Sequence, residues 1–371
     1  MLRFMTAGES HGPALSGILD GMPAGLEIDV DGINFDLQRR QGGHGRSGRQ
    51  RIEHDTVQFL GGVHESRTTG APIAMRIENR DWANQEKREK PVLSVPRPGH
   101  ADLAGSIKYR LDDMRTVLER ASARETAMRV AAGGLARQLL FRFGVVIASQ
   151  VLEIGDEWTE SCDVADERIR ERVEQSSVRA ASAEAEERMV ARIDRARRER
   201  DTLGGVFEVC ALNLPVGLGS YVQWDRKLDG RIAGAVMSIQ AIKGVEIGAA
   251  FSNARLPGTQ VHDAIVAGER ELERASNRAG GLEGGVTNGE PLIVRAAMKP
   301  ISTTLTPMRS VDVRTGDEAW ATYQRSDICA VPAASVVGEA MVAFVLADAF
   351  LDKYGGDSIT EIAERCTVSS A

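Results

Sequence analysis

The chain has 371 residues, of which 42% are hydrophobic and 27% charged, with a net charge of -7 and a pI near 5.6. The acidic balance disfavours general nucleic-acid binding, and the lack of a run of about 18 apolar residues disfavours a membrane span. Four scattered cysteines without a Cys-x-x-Cys pair predict neither a disulfide framework nor a metal site. We therefore expect a cytoplasmic protein without a secretory signal.

Two features stand out in the first fifty residues. Ala14–Leu19 has the pattern of a β-strand, and Gln38–Arg51 is a glycine-rich segment with five arginines and no acidic residue. The arginines are Arg39, Arg40, Arg46, Arg49 and Arg51. Guanidinium groups bind phosphate and carboxylate through paired hydrogen bonds, so this segment predicts an anionic partner. A nucleic acid is a weak alternative, because no aromatic residue lies among the arginines to stack on bases.

A first central helix is predicted over about Ala123–Phe143, with a broad apolar surface. The pair Gly133-Gly134 lowers helix propensity and predicts close packing against another backbone. Ser122 and Glu125 have the spacing of a capping box before this helix. A helix N-terminus also attracts anions, but a plain cap is the more common explanation of such a motif.

Downstream, the segment 156–201 is dense in Glu, Arg and Ala and predicts one or two solvated helices, with a partner-binding arm as the alternative. Val206–Leu214 is a predicted strand. Asn288-Gly289, between Gly285-Val286 and Pro291–Ala297, has the form of a hairpin turn. A second central helix is predicted from about Pro332 to Tyr354, buried on most sides and ended by glycine.

Helices and strands come in blocks rather than in strict alternation. This order predicts an α+β fold with antiparallel sheets. A Gly-x-Gly-x-x-Gly fingerprint between a strand and a helix is missing, which disfavours a dinucleotide-binding fold. Because the chain has no Pro/Ser-rich linker and no repeat at a fixed period, we expect one domain over residues 1–371. The one clear composition shift, 156–201, is expected to be a charged helical segment within that domain.

Several polar stretches could carry chemistry. His11 and His100 lie among glycines and prolines, and histidine suits proton transfer at neutral pH. The glycine-rich stretch 276–285 could bring backbone amides close to a phosphate or a planar ligand, and 299–304 adds a cation and three hydroxyls. Arg325 and Asp327 taken alone resemble a structural ion pair. Jointly these features predict a multiply anionic small substrate and a phosphate-bearing cofactor.

Seven blocks spread over the chain resemble those of the chorismate synthase family, in family order. They are GESHG at 8–12, RRQGGHGR at 39–46, RPGHAD at 97–102, ERASARETA at 119–127, SNRAGGLEGGVTNGEP at 276–291, KPIST at 299–303 and RSDICAVPA at 325–333. The resemblance implies an anti-1,4-elimination of phosphate from 5-enolpyruvylshikimate 3-phosphate, giving chorismate in the shikimate pathway of aromatic amino acid biosynthesis. It implies reduced FMN as cofactor without net redox change. It also implies a β-α-β sandwich with helices between antiparallel sheets, and a homotetramer that takes reduced FMN from a separate flavin reductase.

The resemblance also assigns roles to individual residues. The implied catalytic groups are His11, His100, Asp327, Ser10 and Ser122. His11 would protonate the departing phosphate with Ser10 beside it, His100 and Ser122 would handle protons near the flavin, and Asp327 would be a candidate base. Arg40 and Arg46 would hold the anionic groups of the substrate, or a nicotinamide nucleotide (NADP) in bifunctional relatives.

The implied flavin contacts come from five separate stretches. They are Arg120, Ala121, Ser122, Gln240, Ala241, Gly284, Lys299, Pro300, Ile301, Ser302, Thr303 and Arg325. Departures from the family pattern are few, the clearest being Ala249-Ala250 in place of a more polar pair. A flavin- or nucleotide-dependent oxidoreductase that uses the same pocket is the alternative, and it predicts net consumption of NAD(P)H.

Overall fold

The computed structural model of the chain describes residues 1–47, 54–80, 82, 91–268, 272–321 and 326–369. Within these ranges the helices are α1 Val30–Gln41, α2 Asp102–Tyr109, α3 Arg115–Ala121, α4 Thr126–Phe141, α5 Glu167–Gln175, α6 Ala183–Glu199, α7 Leu228–Met237, α8 Ala250–Asn253, α9 Val331–Tyr354 and α10 Ile359–Ser369. The strands are β1 Arg3–Ala7, β2 Ala14–Asp20, β3 Val57–Gly61, β4 Val63–His64, β5 Arg67–Thr68, β6 Ile73–Glu78, β7 Val146–Ile154, β8 Glu157–Trp158, β9 Gly205–Leu212, β10 Ile242–Ile247, β11 Ile265–Ala267, β12 Leu272–Arg274, β13 Leu282–Glu283, β14 Val286–Thr287, β15 Leu292–Met298, β16 Arg309–Val311 and β17 Glu318–Trp320.

Two antiparallel sheets form the outer layers. The first has four strands in the order β1-β2-β6-β3, and the second has five in the order β10-β15-β9-β7-β8. Strand β2 alternates as an amphipathic strand should, with Leu15, Gly17 and Leu19 buried and Ser16 and Ile18 exposed. This alternation turns one face of the first sheet toward the helices.

Helices α1, α4 and α9 fill the space between the sheets. Helix α4 packs on β2 and β6, while α9 packs on β7 and β9, and the two helices pack on each other. A β-carbon on Gly133 would lie 2.4 Å from the β-carbon of Ala340, so the glycine is what permits this close crossing. The predicted α+β sandwich, and the close packing expected at Gly133, are confirmed.

Helix α9 is the described helix whose length and apolar composition would suit a membrane span. It is 89% buried over its most apolar stretch, as a core helix would be. Glycine ends it as predicted, because Gly355 donates its N–H to the carbonyl of Leu351.

The structure differs from two local predictions. The hairpin turn lies at Gly284-Gly285 between β13 and β14, not at Asn288-Gly289, since β15 pairs with β9 and β10 instead. The segment 156–201 contains α5 and α6, as predicted, but α6 buries one apolar side that includes Met189 and Ile193. These apolar residues recur at helical spacing within a highly charged sequence. The prediction of solvated helices did not take that spacing into account.

Candidate active site

Two guanidinium groups share one buried carboxylate beside the first sheet. Arg40 lies in the last turn of α1, and Arg124 lies in the 3-10 turn Ala123–Glu125 that precedes α4. Arg40 Nη2 donates to Asp55 Oδ2 at 2.9 Å, and Arg124 Nη1 donates to the same oxygen at 2.5 Å. All three residues are buried, so this arrangement places two positive charges against one negative charge out of water.

Arg46 adds a third guanidinium to this group. It pairs with Asp327 at 2.6 Å, and the second oxygen of Asp327 accepts the backbone N–H of Ser47 at 2.6 Å. The backbone N–H of Ile328 donates to Gly45, which holds the two segments side by side. Arg40, Arg46 and Arg124 with Asp55 and Asp327 are called the open arginine cluster below.

The open arginine cluster lacks negative charge and hydrogen-bond partners. Burial lowers the pKa of Arg40 from 12.5 to about 10; Asp55 opposes this shift, whereas Arg124 and Arg46 add to it by repulsion. Arg40 still carries its charge at neutral pH. Among the described residues, buried Nε atoms of Arg40 and Arg46 and Oδ1 of Asp55 have no hydrogen-bond partner. Such orphaned groups are costly, and a ligand with anionic oxygens and a hydroxyl would satisfy them.

Arg39, next to Arg40 in the sequence, lies in a different environment. Its guanidinium contacts Asp36, Glu174 and Glu339 at 2.6 to 2.9 Å. Arg137 and Arg179 share the same carboxylates. These six residues are called the closed charge cluster below. It has three cations and three anions, so it needs no ligand.

The loop of His11 is tied to the open arginine cluster. Ser122 Oγ donates to Ser10 Oγ at 3.1 Å. The amide of Asn79 donates to the carbonyl of Gly12 at 2.7 Å, while its oxygen accepts Arg124 Nε at 2.8 Å. The predicted residues Ser10, His11 and Ser122 therefore lie in one hydrogen-bonded network with an arginine that the sequence-based assignments did not include.

A second histidine centre is formed by the loop 97–102. His100 Nδ1 lies 2.6 Å from Asp102 Oδ1, and Arg97 contacts the same carboxylate. Burial raises the pKa of Asp102, but hydrogen bonds from His100 and Arg97 outweigh it and hold the pKa far below its ordinary value of 3.8. Asp102 is thus an ionised partner that fixes the imidazole of His100.

The stretch 299–303 joins this loop to Asp327. Arg97 donates to Thr303 Oγ1 at 3.2 Å, and Ser302 Oγ donates to the carbonyl of Gly99 at 2.8 Å. Lys299 Nζ donates to the same carbonyl. Ser326 Oγ donates to the carbonyl of Thr303 at 2.8 Å, one residue before Asp327.

Gln240 and Ala241 border the same region. The backbone N–H of Lys299 donates to the carbonyl of Ala241, which adopts a left-handed φ of 67° that is rare for a residue with a β-carbon. Gln240 Nε2 donates to Glu125 at 3.4 Å, and its Oε1 is buried without a described partner. Arg120 donates to the carbonyl of Thr6 at 2.8 Å.

Four predicted site residues are not joined to these centres by described side-chain contacts. Ala121 ends α3, Gly284 lies at the tip of the β13–β14 turn beside Tyr221, and Pro300 adds no polar group. The carbonyl of Ile301 accepts the hydroxyl of Thr202. Arg325, like Arg49 and Arg51, lies outside the described residues.

Two expectations about backbone amides need correction. In the glycine-rich stretch 276–285, the N–H groups of Arg278 and Ala279 donate to Asp263, so an internal carboxylate already occupies them. Ser122 caps through the N–H of Arg124, and the side chain of Glu125 binds elsewhere instead of closing a capping box. Separately, the first four residues of the arginine-rich segment 38–51 belong to helix α1.

Comparisons with known proteins agree with the overall fold. The sequence profile of the family described as "Chorismate synthase" matches residues 2–351. The chain is 54% identical to the chorismate synthases of Syntrophotalea carbinolica and Desulforamulus reducens, covering 98% of this chain and 96% and 97% of theirs. A solved structure titled "Crystal Structure of Chorismate Synthase" matches with a TM-score of 0.81 and 45% identity, over 99% of this chain and 97% of that one.

Proposed function

The chain belongs to the chorismate synthase family, and we propose that it eliminates phosphate from 5-enolpyruvylshikimate 3-phosphate to give chorismate. The observation that carries this proposal is the open arginine cluster, with three guanidinium groups against two carboxylates among the described residues. The proposed substrate has one phosphate, two carboxylates and a hydroxyl. These groups supply the negative charge and the hydrogen-bond partners that the cluster lacks.

Substrate binding is assigned first to Arg40, Arg46 and Arg124. Arg40 and Arg124 are fixed by Asp55, so their positions are set before a ligand arrives. Asp55 Oδ1 is the buried acceptor that suits the substrate hydroxyl. A rigid, desolvated cation site of this kind favours a bound dianion strongly, because water does not compete for the guanidinium groups.

Departure of the phosphate is assigned to His11. A phosphate leaves more readily when an acid donates a proton to its oxygen as the C–O bond breaks. This assignment is supported by the hydrogen bonds that tie the loop of His11 to Ser122 and Arg124, through Ser10 and Asn79. Ser10 and Ser122 form the adjacent hydroxyl pair that can pass a proton.

Removal of the substrate proton is assigned to Asp327. Both carboxylate oxygens are engaged, one by Arg46 and one by the N–H of Ser47. We propose that Arg46 transfers its hydrogen bonds to the substrate, which leaves a carboxylate oxygen of Asp327 able to accept a proton. The pairing in the absence of substrate then holds the carboxylate of Asp327 in place.

The residues that border Gln240 fit the flavin that the family uses. The buried Gln240 Oε1 is an acceptor that needs a donor, and Lys299 and Arg120 provide cations for a phosphate. His100, whose imidazole is fixed by Asp102, is assigned the role of holding a proton for the flavin. When bound, reduced FMN supplies an electron-rich partner and is not consumed. A homotetramer, a cytoplasmic location, a separate flavin reductase as the source of reduced FMN, and nicotinamide-nucleotide binding at Arg40 and Arg46 remain proposals from the family.

The test is an anaerobic assay of phosphate release from 5-enolpyruvylshikimate 3-phosphate, with chorismate followed by absorbance. Dithionite-reduced FMN, oxidised FMN and NADPH are compared in parallel. We expect equal amounts of phosphate and chorismate with reduced FMN alone. Turnover that consumes NADPH stoichiometrically would favour the oxidoreductase, and a lack of phosphate release in every condition would refute the elimination.

A further inference from the structure

Glu119 on α3 holds both the backbone and the side chain of His11. Its carboxylate accepts the backbone N–H of His11 at 2.7 Å, and its two oxygens lie 3.0 and 3.1 Å from Nδ1 of the ring. Its carbonyl oxygen accepts the backbone N–H of Ser10 at 3.1 Å. One residue therefore sets the position of the loop and the orientation of the imidazole.

The pair differs from a surface ion pair of the same chemical type. His44 contacts Asp194 through one oxygen at 2.8 Å, and the Asp194 side chain is 36% exposed and also binds Arg197. The Glu119 side chain is 11% exposed and contacts His11 at three points. A largely buried carboxylate with this many contacts to one histidine restricts the ring much more than the surface pair does.

We propose that Glu119 is a positioning residue that sets the tautomer of His11, an inference that rests on the proposed function. An ionised carboxylate only accepts hydrogen bonds, so His11 must carry a proton on Nδ1. Nε2 is then the nitrogen that donates a proton to the departing phosphate. As the C–O bond breaks, its electron pair leaves with the phosphate, the Nε2 proton moves to a phosphate oxygen, and neutral His11 keeps its Nδ1 proton. Solvent restores the lost proton afterwards.

Replacing Glu119 by glutamine separates charge from shape. The backbone N–H of His11 needs an acceptor, so it will take the amide oxygen of the glutamine. The amide NH2 then faces Nδ1 and favours the tautomer that has its proton on Nε2. A wrong tautomer of this kind lowers kcat strongly while leaving the geometry intact, as known for the aspartate of serine proteases.

The experiment uses 15N-histidine-labelled full-length protein with the variants Glu119→Gln and Glu119→Asp. Glu9→Gln is the matched control, because Glu9 is an exposed carboxylate in the same loop. Ring 15N shifts of His11 report the tautomer without substrate. Steady-state assays with 5-enolpyruvylshikimate 3-phosphate and reduced FMN give kcat and KM separately.

We expect Glu119→Gln to move the Nδ1 proton to Nε2 and to lower kcat at least 30-fold with KM changed less than threefold. Glu119→Asp should keep the native tautomer and recover part of kcat, and Glu9→Gln should resemble wild type. A native tautomer in Glu119→Gln, or a kcat within threefold of wild type, would overturn the proposal. Failure of the wild-type protein to form chorismate would refute the proposed function, whereas the tautomer shift would still decide whether Glu119 controls His11.

Discussion

Arg39 and Arg40 are neighbours on α1, yet they belong to opposite kinds of buried charge. Arg39 lies in the closed charge cluster, where three carboxylates balance the charge of three guanidinium groups. Arg40 lies in the open arginine cluster, where buried donors lack partners. The comparison teaches that burial of arginine alone does not indicate a binding site. What indicates one is a deficit of negative charge and of hydrogen-bond acceptors.

The two clusters also differ in the pKa values of their members. Burial raises the pKa of Glu339, but Arg39 and Arg179 outweigh it and lower the pKa from 4.5 to about 2. Burial lowers the pKa of Arg40 to about 10, and Asp55 does not restore it. Glu339 is thus stabilised as a carboxylate inside the closed charge cluster, although burial and Arg39 also lower the pKa of Arg179 there. In the open arginine cluster the pKa of Asp55 is lowered too, but the pKa of Arg40 stays below its ordinary value.

The largest effect is expected from Glu339→Gln. Removing one charge from a buried network leaves Arg39 and Arg179 undercompensated, which typically costs about 3–5 kcal/mol of unfolding free energy. Activity per folded molecule should stay within about threefold, since the open arginine cluster is untouched. Urea unfolding gives the stability, and Glu184→Gln, on an exposed pair with Arg188, should change it by less than about 0.5 kcal/mol.

Arg40→Gln should lower activity strongly and stability little, the reverse of Glu339→Gln. We expect kcat/KM to fall by roughly 100-fold or more, because a desolvated charge contact to the substrate is lost. The unfolding free energy should fall by less than about 1 kcal/mol, or should rise, because the substitution relieves the repulsion from Arg124 and Arg46. Arg137→Gln, from the closed charge cluster, is the matched control and should lose stability while keeping activity. Equal losses of activity in Arg40→Gln and Arg137→Gln would contradict the claim that only the open arginine cluster serves activity.

Acid should weaken the closed charge cluster through protonation of Glu339. The pKa of Glu339 is lower in the folded chain than in the unfolded one, so its contribution is present above about pH 4.5 and is lost as pH falls toward 2. The contribution is roughly 3 kcal/mol. The difference in urea midpoint between wild type and Glu339→Gln should therefore be smaller at pH 3 than at pH 5. A constant difference across this window would contradict the assignment.

The smallest effect is expected from inorganic phosphate. A ligand that binds only the folded protein raises its stability, by about 1 kcal/mol when its concentration is several times Kd. Phosphate should thus raise the Tm of wild type and of Arg137→Gln, but not of Arg40→Gln. An equal rise in all three proteins would place phosphate outside the open arginine cluster.

Much of this arrangement could be predicted from sequence, because local patterns have local causes. The two core helices, the glycine that ends α9 and the close crossing at Gly133 followed from apolar periodicity and glycine placement. The arginine excess in 38–51 predicted an anion site, and the structure brings Arg40 and Arg46 of this segment close together. Sequence alone could not assign Arg39 and Arg40 to different clusters. Adjacent residues of a helix point in different directions, but what each side chain meets is known only once the packing partners of the helix are known.

The remaining differences depend on long-range contacts. Asp55 and Glu119 became candidate site residues only because the fold brings them into contact with Arg124 and His11. The hairpin prediction at Asn288 was wrong because β15 finds better partners in β9 and β10. A turn motif reports the local preference of a short segment. Here the pairing of β15 with distant strands overrode the local preference for a hairpin at Asn288-Gly289.

The most direct test of the central claim is calorimetric titration of 5-enolpyruvylshikimate 3-phosphate into protein without flavin, where no turnover occurs. Wild type, Arg40→Gln and Arg137→Gln are compared at one ionic strength. The account predicts that Kd rises at least tenfold for Arg40→Gln and stays within about twofold for Arg137→Gln. An unchanged Kd for Arg40→Gln would show that the open arginine cluster does not bind the substrate.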